Sequence, residues 1–183
     1  MAGLIFPFIY IISNSKELTL RCSLYVLIFF LIIEFLRFIN SNFNSWLFKR
    51  FKLILKEEER NHPLNTSFFL IFLNLAIWFF RKEIVIYAVF FVIIGDIVAG
   101  LVGKNFGHIR IGNKTLEGAI SFFFSCLILG WLLNLTSFKI PLLVIIPASF
   151  ICSLVELFSK LDDNFTVGLS CCITMELILR LIS

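Results

Sequence analysis

Residues 95–118, GDIVAGLVGKNFGHIRIGNKTLEG, decide how this chain is read. The stretch begins inside an apolar run, crosses a polar segment and enters a second apolar run at Leu116. It carries an acid, Asp96, deep in the first run, and small residues at four-residue spacing: Gly95, Ala99, Gly103 and Gly107. On a helix that spacing draws a bare stripe along one face, where another backbone approaches closely. Lys104, Arg110, Lys114 and Glu117 follow. Acids that hold a metal, bases that hold phosphate and glycines that admit both to the backbone occur together. This predicts an active site at a membrane surface.

Working outward, the composition names the solvent. The chain has 183 residues, 60% of them hydrophobic and 24 of them Phe, with a mean hydropathy of +1.00. A protein this small cannot hide so much apolar surface in its own core, so lipid must cover the rest. The net charge of +4 therefore bears on membrane orientation. No segment is long and polar enough to build a solvated basic face, which excludes nucleic acid as an expected partner. The five cysteines lie in apolar runs without CxxC or Cys/His spacing, which argues for small buried hydrophobes over zinc. The N-terminus has neither a charged leader region nor an Ala-x-Ala site, so no signal peptide is expected.

The apolar runs predict an all-α, polytopic transmembrane bundle in one domain over residues 1–183. About six crossings are expected, at residues 18–39, 66–80, 84–102, 116–135, 140–158 and 165–182. Residues 3–12, interrupted by Pro7, read as a half-crossing or interfacial segment. Within residues 41–65, Phe43, Leu47, Phe51 and Ile54 recur at helical spacing between basic residues, which predicts an amphipathic helix lying in the interface. Alternation puts the segments 41–65, 104–115 and 160–164 on one side. Their Lys and Arg content makes that side cytoplasmic and the protein a multi-pass component of the cytoplasmic membrane. Short alternating strands are missing, which excludes a barrel.

Each candidate residue carries a functional and a structural reading. Asp96 is either a Mg²⁺ ligand or one half of an ion pair with a neighbouring helix; intramembrane acids favour function. The stripe alone is helix packing, but its continuation into Lys104 and Gly107 suggests a phosphate-binding loop. No Walker A spacing is present. Thr115 is a candidate N-cap, and a helix N-terminus beside Lys114 suits phosphate. Glu117 is either a dipole-compatible first-turn acid or a metal ligand answering Asp96. Glu156 is either paired with Lys160 or a second acid sharing a cation with Asp96. Asp163 and Asn164 read as caps of the last helix or as site residues, and Asp162, Asp163 or Glu156 as acceptor of a substrate proton. Glu34 and Arg37, three apart, are expected to pair. His62 and His108 are given no role.

Taken together, residues 95–107, the sequence KTLEG at 114–118, Glu156 and the Asp162-Asp163-Asn164 triplet resemble the CTP-dependent lipid kinases, a family that includes dolichol, phytol and farnesol kinases and yeast-type diacylglycerol kinase. Upstream, Glu34-Phe35-Leu36-Arg37 and the charge run at 56–60 are similar to the polar signatures of bacterial members. The likeness runs in order from about the second segment to the C-terminus. It departs at Asn65, where a glycine is common, and in a short N-terminal part.

The resemblance implies phosphoryl transfer from CTP to the hydroxyl of a membrane lipid alcohol, with Mg²⁺ as cofactor. It implies catalytic roles for Asp96, Lys114, Glu117, Glu156 and Asp163, with Asp96, Glu117 and Asp163 on the metal. It places Gly100, Gly103, Lys104, Gly107, Lys114, Thr115 and Asn164 at the nucleotide. Cytidylyltransferases that make CDP-lipids are the nearest alternative; their longer C-terminal signature is not visible. A small transporter would place its acids at the midplane and show a repeat, and neither feature is present.

Overall fold

The computed structural model describes residues 5–13, 15–52, 55, 57–159 and 162–182. They form α1 (Ile5–Ser13), α2 (Lys16–Ile39), α3 (Ser41–Arg50), a 3₁₀ turn (Glu57–Asn61), α4 (Asn65–Phe79), α5 (Lys82–Phe106), a hairpin of β1 (Arg110–Ile111) and β2 (Lys114–Thr115), α6 (Leu116–Asn134), α7 (Leu142–Phe158) and α8 (Asp163–Ile182). Apart from that hairpin the described chain is helical, in keeping with the all-α expectation. Ile54, Lys56 and Lys160 lie outside the described residues, and with them the last position of the amphipathic series and the Glu156–Lys160 pair.

Among the described residues, four helices, α2, α5, α6 and α8, are long and apolar enough to cross a membrane. The other two expected spans, α4 and α7, have 15 and 17 residues. At 1.5 Å per residue they reach roughly 22 and 25 Å, short of a hydrocarbon core of about 30 Å. Pro7 does not interrupt α1. It sits in the first turn, where a missing N–H leaves no hydrogen bond unmade.

α5 is the central post. Ten of its residues are buried, and it packs against α1, α4, α6 and α8, while α7 closes the far side on α6 and α8 and α2 lies outside on α4. The glycine stripe explains the α5–α6 seam. A Cβ on Gly95 would come within 2.6 Å of the Phe122 ring, and one on Gly103 within 2.7 Å of Thr115 Oγ1. Across the seam, a Cβ on Gly118 would meet the Ala99 carbonyl oxygen at 3.0 Å. Small residues thus bring the two backbones together, as helix packing without a hydrophobic driving force requires.

Outward faces are apolar. Tyr25, Phe29 and Phe35 on α2, Phe124 and Ile128 on α6, and Leu143 on α7 are all more than half exposed. Such a surface suits a lipid environment. Inside, some polar groups are paired between helices. Ser23 donates to Asn74 Oδ1 at 3.0 Å, joining α2 to α4. At the end opposite the hairpin, the Tyr87 hydroxyl meets Asn134 Oδ1 at 2.9 Å and the Phe138 carbonyl at 3.0 Å.

Glu34 and Arg37, both buried, are not bonded to each other. Glu34 accepts from the Leu64 amide at 2.7 Å, and Arg37 donates to the His62 carbonyl. Residues 62–64, which lead into α4, offer one free N–H and one free C=O, and each charged side chain satisfies one. The two therefore fasten α2 to that turn. In α3, Leu47 and Phe48 are buried while Trp46 is exposed.

Candidate functional site

The polar segment expected from Lys104 onward starts later than its composition suggests. α5 continues to Phe106, and Gly107 is its C-cap, its N–H bonded to the Gly103 carbonyl at 3.2 Å. Gly103 is thus a helix-packing residue and not part of a loop. Lys104 falls in the last turn of α5, where the helix dipole favours a cation. Gly100 lies off the seam, with nothing within 4 Å of a Cβ placed on it.

After Gly107 the chain makes a tight antiparallel hairpin, pairing Arg110 with Thr115 and Ile111 with Lys114. The turn is Gly112-Asn113, and Gly112 has φ +62°, a left-handed conformation suited to a two-residue hairpin loop. Glu117 fixes the hairpin's base: its carboxylate accepts from the amides of His108 at 3.0 Å and Ile109 at 3.1 Å. Thr115 caps α6 as its sequence position predicts, accepting from the Gly118 amide at 3.2 Å.

Lys114 projects from this hairpin to two other helices. Its ammonium lies 2.8 Å from Glu156 Oε1 near the end of α7 and 2.6 Å from Asp163 Oδ2 at the start of α8. Burial pulls the Lys114 pKa down, but the bonds to Asp163 and Glu156 outweigh it and hold the pKa above its ordinary value, so the cation is permanent. Glu156 is 3% exposed, and its second oxygen, Oε2, has no partner among the described residues. Asp162 caps α8, accepting from the Phe165 amide at 3.1 Å. Burial, partly offset by that amide, raises the Asp162 carboxyl from 3.8 to about 6.

Lys114 and Glu156 border a polar cavity of about 380 Å³. Asp96, Gly100 and Lys104 line it from α5, Arg110 and Lys114 from the hairpin, and Glu156 from α7. Asp96 is exposed within this setting and makes no hydrogen bond or ion pair among the described residues, so the ion-pair reading of it has no partner here. A narrow crevice also brings Asp96, Glu156, Asp163 and Asn164 side by side. Of the expected site residues, Gly103, Gly107 and Thr115 line the cavity as well.

The expected metal set is not assembled as a group. Among the described residues no three His, Cys, Asp or Glu side chains form a metal-binding cluster. Glu117 is engaged by two backbone amides, and Asp163 holds Lys114, whose ammonium takes the place of the expected shared cation. Asp96 and Oε2 of Glu156, both without a partner among the described residues, are open to a divalent ion. Two carboxylates with phosphate oxygens fit Mg²⁺, which is rarely held by protein groups alone. Nothing but its charge marks Arg110 in the sequence; the hairpin pairing places it on the cavity wall.

No family model matches the chain, and no solved structure does. The chain is similar to an uncharacterized protein of Rickettsia prowazekii (strain Madrid E), at 25% identity over 181 residues, covering 95% of this chain and 88% of that protein. The sequence likeness therefore spans nearly the whole chain and is not confined to the residues that line the cavity.

Proposed function

We propose that the protein is a membrane-embedded kinase that transfers the γ-phosphoryl group of CTP to the hydroxyl of a lipid alcohol. The observation that carries this reading is the polar cavity: a permanent cation, Lys114, held by two acids, with Lys104, Arg110 and unpaired Asp96 around it, inside a bundle whose outer faces are apolar. Phosphoryl transfer requires mainly positioning and charge stabilisation, and those are the groups present. CTP as donor follows from the resemblance of residues 95–118, Glu156 and residues 162–164 to the CTP-dependent lipid kinases.

In this reading α4 and α7 cross as short spans beside the four long ones, giving six crossings. The hairpin end faces the cytoplasm and α3 lies in the interface. Lys114, Lys104 and Arg110 bind the phosphates, and Gly100 leaves room for them against α5. Asp96 and Glu156 Oε2 would hold Mg²⁺, which supplies charge neutralisation at the phosphate oxygens when bound. The alcohol oxygen attacks the γ-phosphorus, the bond from that phosphorus to the β,γ-bridging oxygen breaks, and CDP leaves with its electron pair. The hydroxyl proton passes to a carboxylate beside Lys114.

The test is purified protein in mixed micelles with total membrane lipid and CTP labelled at either the α- or the γ-phosphate. Label from the γ position should appear in lipid, and Asp96→Asn should abolish it while the unfolding transition is unchanged, because the Asp96 side chain makes no bond among the described residues. Lipid labelled from the α position would replace this reading with cytidylyl transfer. A normal rate for Asp96→Asn would refute the role given to that acid.

A further inference from the structure

Adjoining the polar cavity at Lys114 lies a second one, of about 570 Å³. It is formed where the hairpin meets the α7–α8 junction. Its wall is divided: Ile111, Leu157 and Phe158 are apolar, while Ser159 and Asp163 are polar. The two cavities share Asn113 and Lys114. The two acids that hold Lys114 are split between them, Glu156 lining the first and Asp163 the second.

We infer that this second cavity receives the hydroxyl end of the lipid alcohol, so that acceptor and donor meet at Lys114 from two adjoining cavities. The inference takes its chemistry from the proposed phosphoryl transfer and its location from the cavities alone. The shared Lys114 sets its two acids at the boundary of the two cavities, so a donor in one and an acceptor in the other meet at a single cation. A hydroxyl on an apolar chain needs a site that is polar at one end and apolar at the other, and the divided wall supplies both. Phe158, 64% exposed at the last position of α7, forms the apolar rim.

Asp163 keeps one oxygen, Oδ2, on Lys114, and its Oδ1 makes no bond among the described residues. It takes the hydroxyl proton as the new bond from the alcohol oxygen to the γ-phosphorus forms and the bond to the bridging oxygen breaks. CDP leaves, and the proton is released to water. The larger groove between α5 and α6, about 660 Å³ and apolar, does not meet these requirements. The acid on its wall, Glu117, is already bonded to two amides, and Lys114 does not line it.

The experiment is photolabelling, which does not depend on turnover. The intact protein in mixed micelles is irradiated with a prenol carrying a diazirine beside its hydroxyl, and in parallel with a diacylglycerol carrying the same group; labelled peptides are then mapped. At least one probe should label residues 110–114 and 157–159, and Phe158→Ala should reduce that labelling about tenfold without changing the thermal shift given by CTP and Mg²⁺. The probe that labels there identifies the class of chain. Labelling confined to residues 120–129 of α6, or none at all, overturns the inference. Labelling at the second cavity with no phosphate transferred from CTP would leave the cavity assignment standing and refute the proposed function instead.

Discussion

Replacing Lys114 tests the arrangement on which the site depends, by a route that needs no substrate. Lys114→Met keeps the stem and removes the charge. Glu156, 3% exposed, then loses its bond at Oε1 and has no partner at Oε2. Leaving one member of a buried pair uncompensated costs about 3–5 kcal/mol. The lower end applies here, because Lys114 and Asp163 are each 28% exposed and water screens that arm. Glu156→Gln alone should cost only about 1 kcal/mol, the worth of one hydrogen bond, since Lys114 retains Asp163. The double variant no longer strands a buried charge and should cost about 2 kcal/mol, giving a coupling of about 2 kcal/mol between the two positions. Reversible unfolding in SDS-titrated mixed micelles, followed by Trp fluorescence, measures all four corners of the cycle. A coupling below about 0.5 kcal/mol would mean that Lys114 is not seated between these acids, and the cavity described above would lose its defining cation.

Two further outcomes follow from residues around the same site. Gly118→Val should destabilise the bundle by about 1–3 kcal/mol through overpacking, because even a Cβ there meets the Ala99 carbonyl oxygen at 3.0 Å. Gly100→Ala, with open space around it, should raise stability by about 0.5–1 kcal/mol yet weaken the CTP-induced thermal shift. Asp162 gives a pH dependence. Its folded value of about 6 lies above the ordinary 3.8, so the native state holds the proton more tightly than the unfolded chain does. The associated stability is present below about pH 4 and lost as pH rises through 6, and solvent screening of this part-exposed carboxyl keeps the difference well under the roughly 3 kcal/mol of an unscreened shift. Asp162→Asn keeps an oxygen for the Phe165 amide and removes the titration. It should therefore raise the unfolding free energy at pH 8 and leave it unchanged near pH 4, and equal effects at both values would contradict the assignment.

The long helices are legible in the sequence because an 18-residue apolar window, in a chain this hydrophobic, fits little besides a membrane span. The α5–α6 seam is legible too, since four-residue spacing of Gly95, Ala99 and Gly103 is a property of one helix. Residues whose partners lie far along the chain are less accessible. Glu34 and Arg37 stand at pairing distance on α2, but the unmet backbone groups at His62 and Leu64 compete for them, and spacing along a helix does not reveal what lies opposite. Glu117 looks available for a cation because the sequence does not show that the chain doubles back to offer the amides of His108 and Ile109. Lys114 reads from the sequence as a phosphate-binding candidate; that its own partners are Glu156 and Asp163, 42 and 49 residues away, appears only once the α7–α8 junction is set against the hairpin. The shortness of α4 and α7 is hidden by apolar residues beyond their ends, such as Phe80 and Ile140, which look like span but do not join the helix.

The hairpin turn also constrains how this protein can vary. Cross-strand partners share a face, so Lys114 points at its acids while it stays paired with Ile111 across the Gly112-Asn113 turn. Changing Asn113 for another polar residue leaves that register intact. Deleting one residue leaves a single residue to close the turn and forces the pairing to slip, and a slip of one residue turns the ammonium to the other face. Homologues that retain the chemistry are thus free to drift in the composition of this turn but not to shorten it.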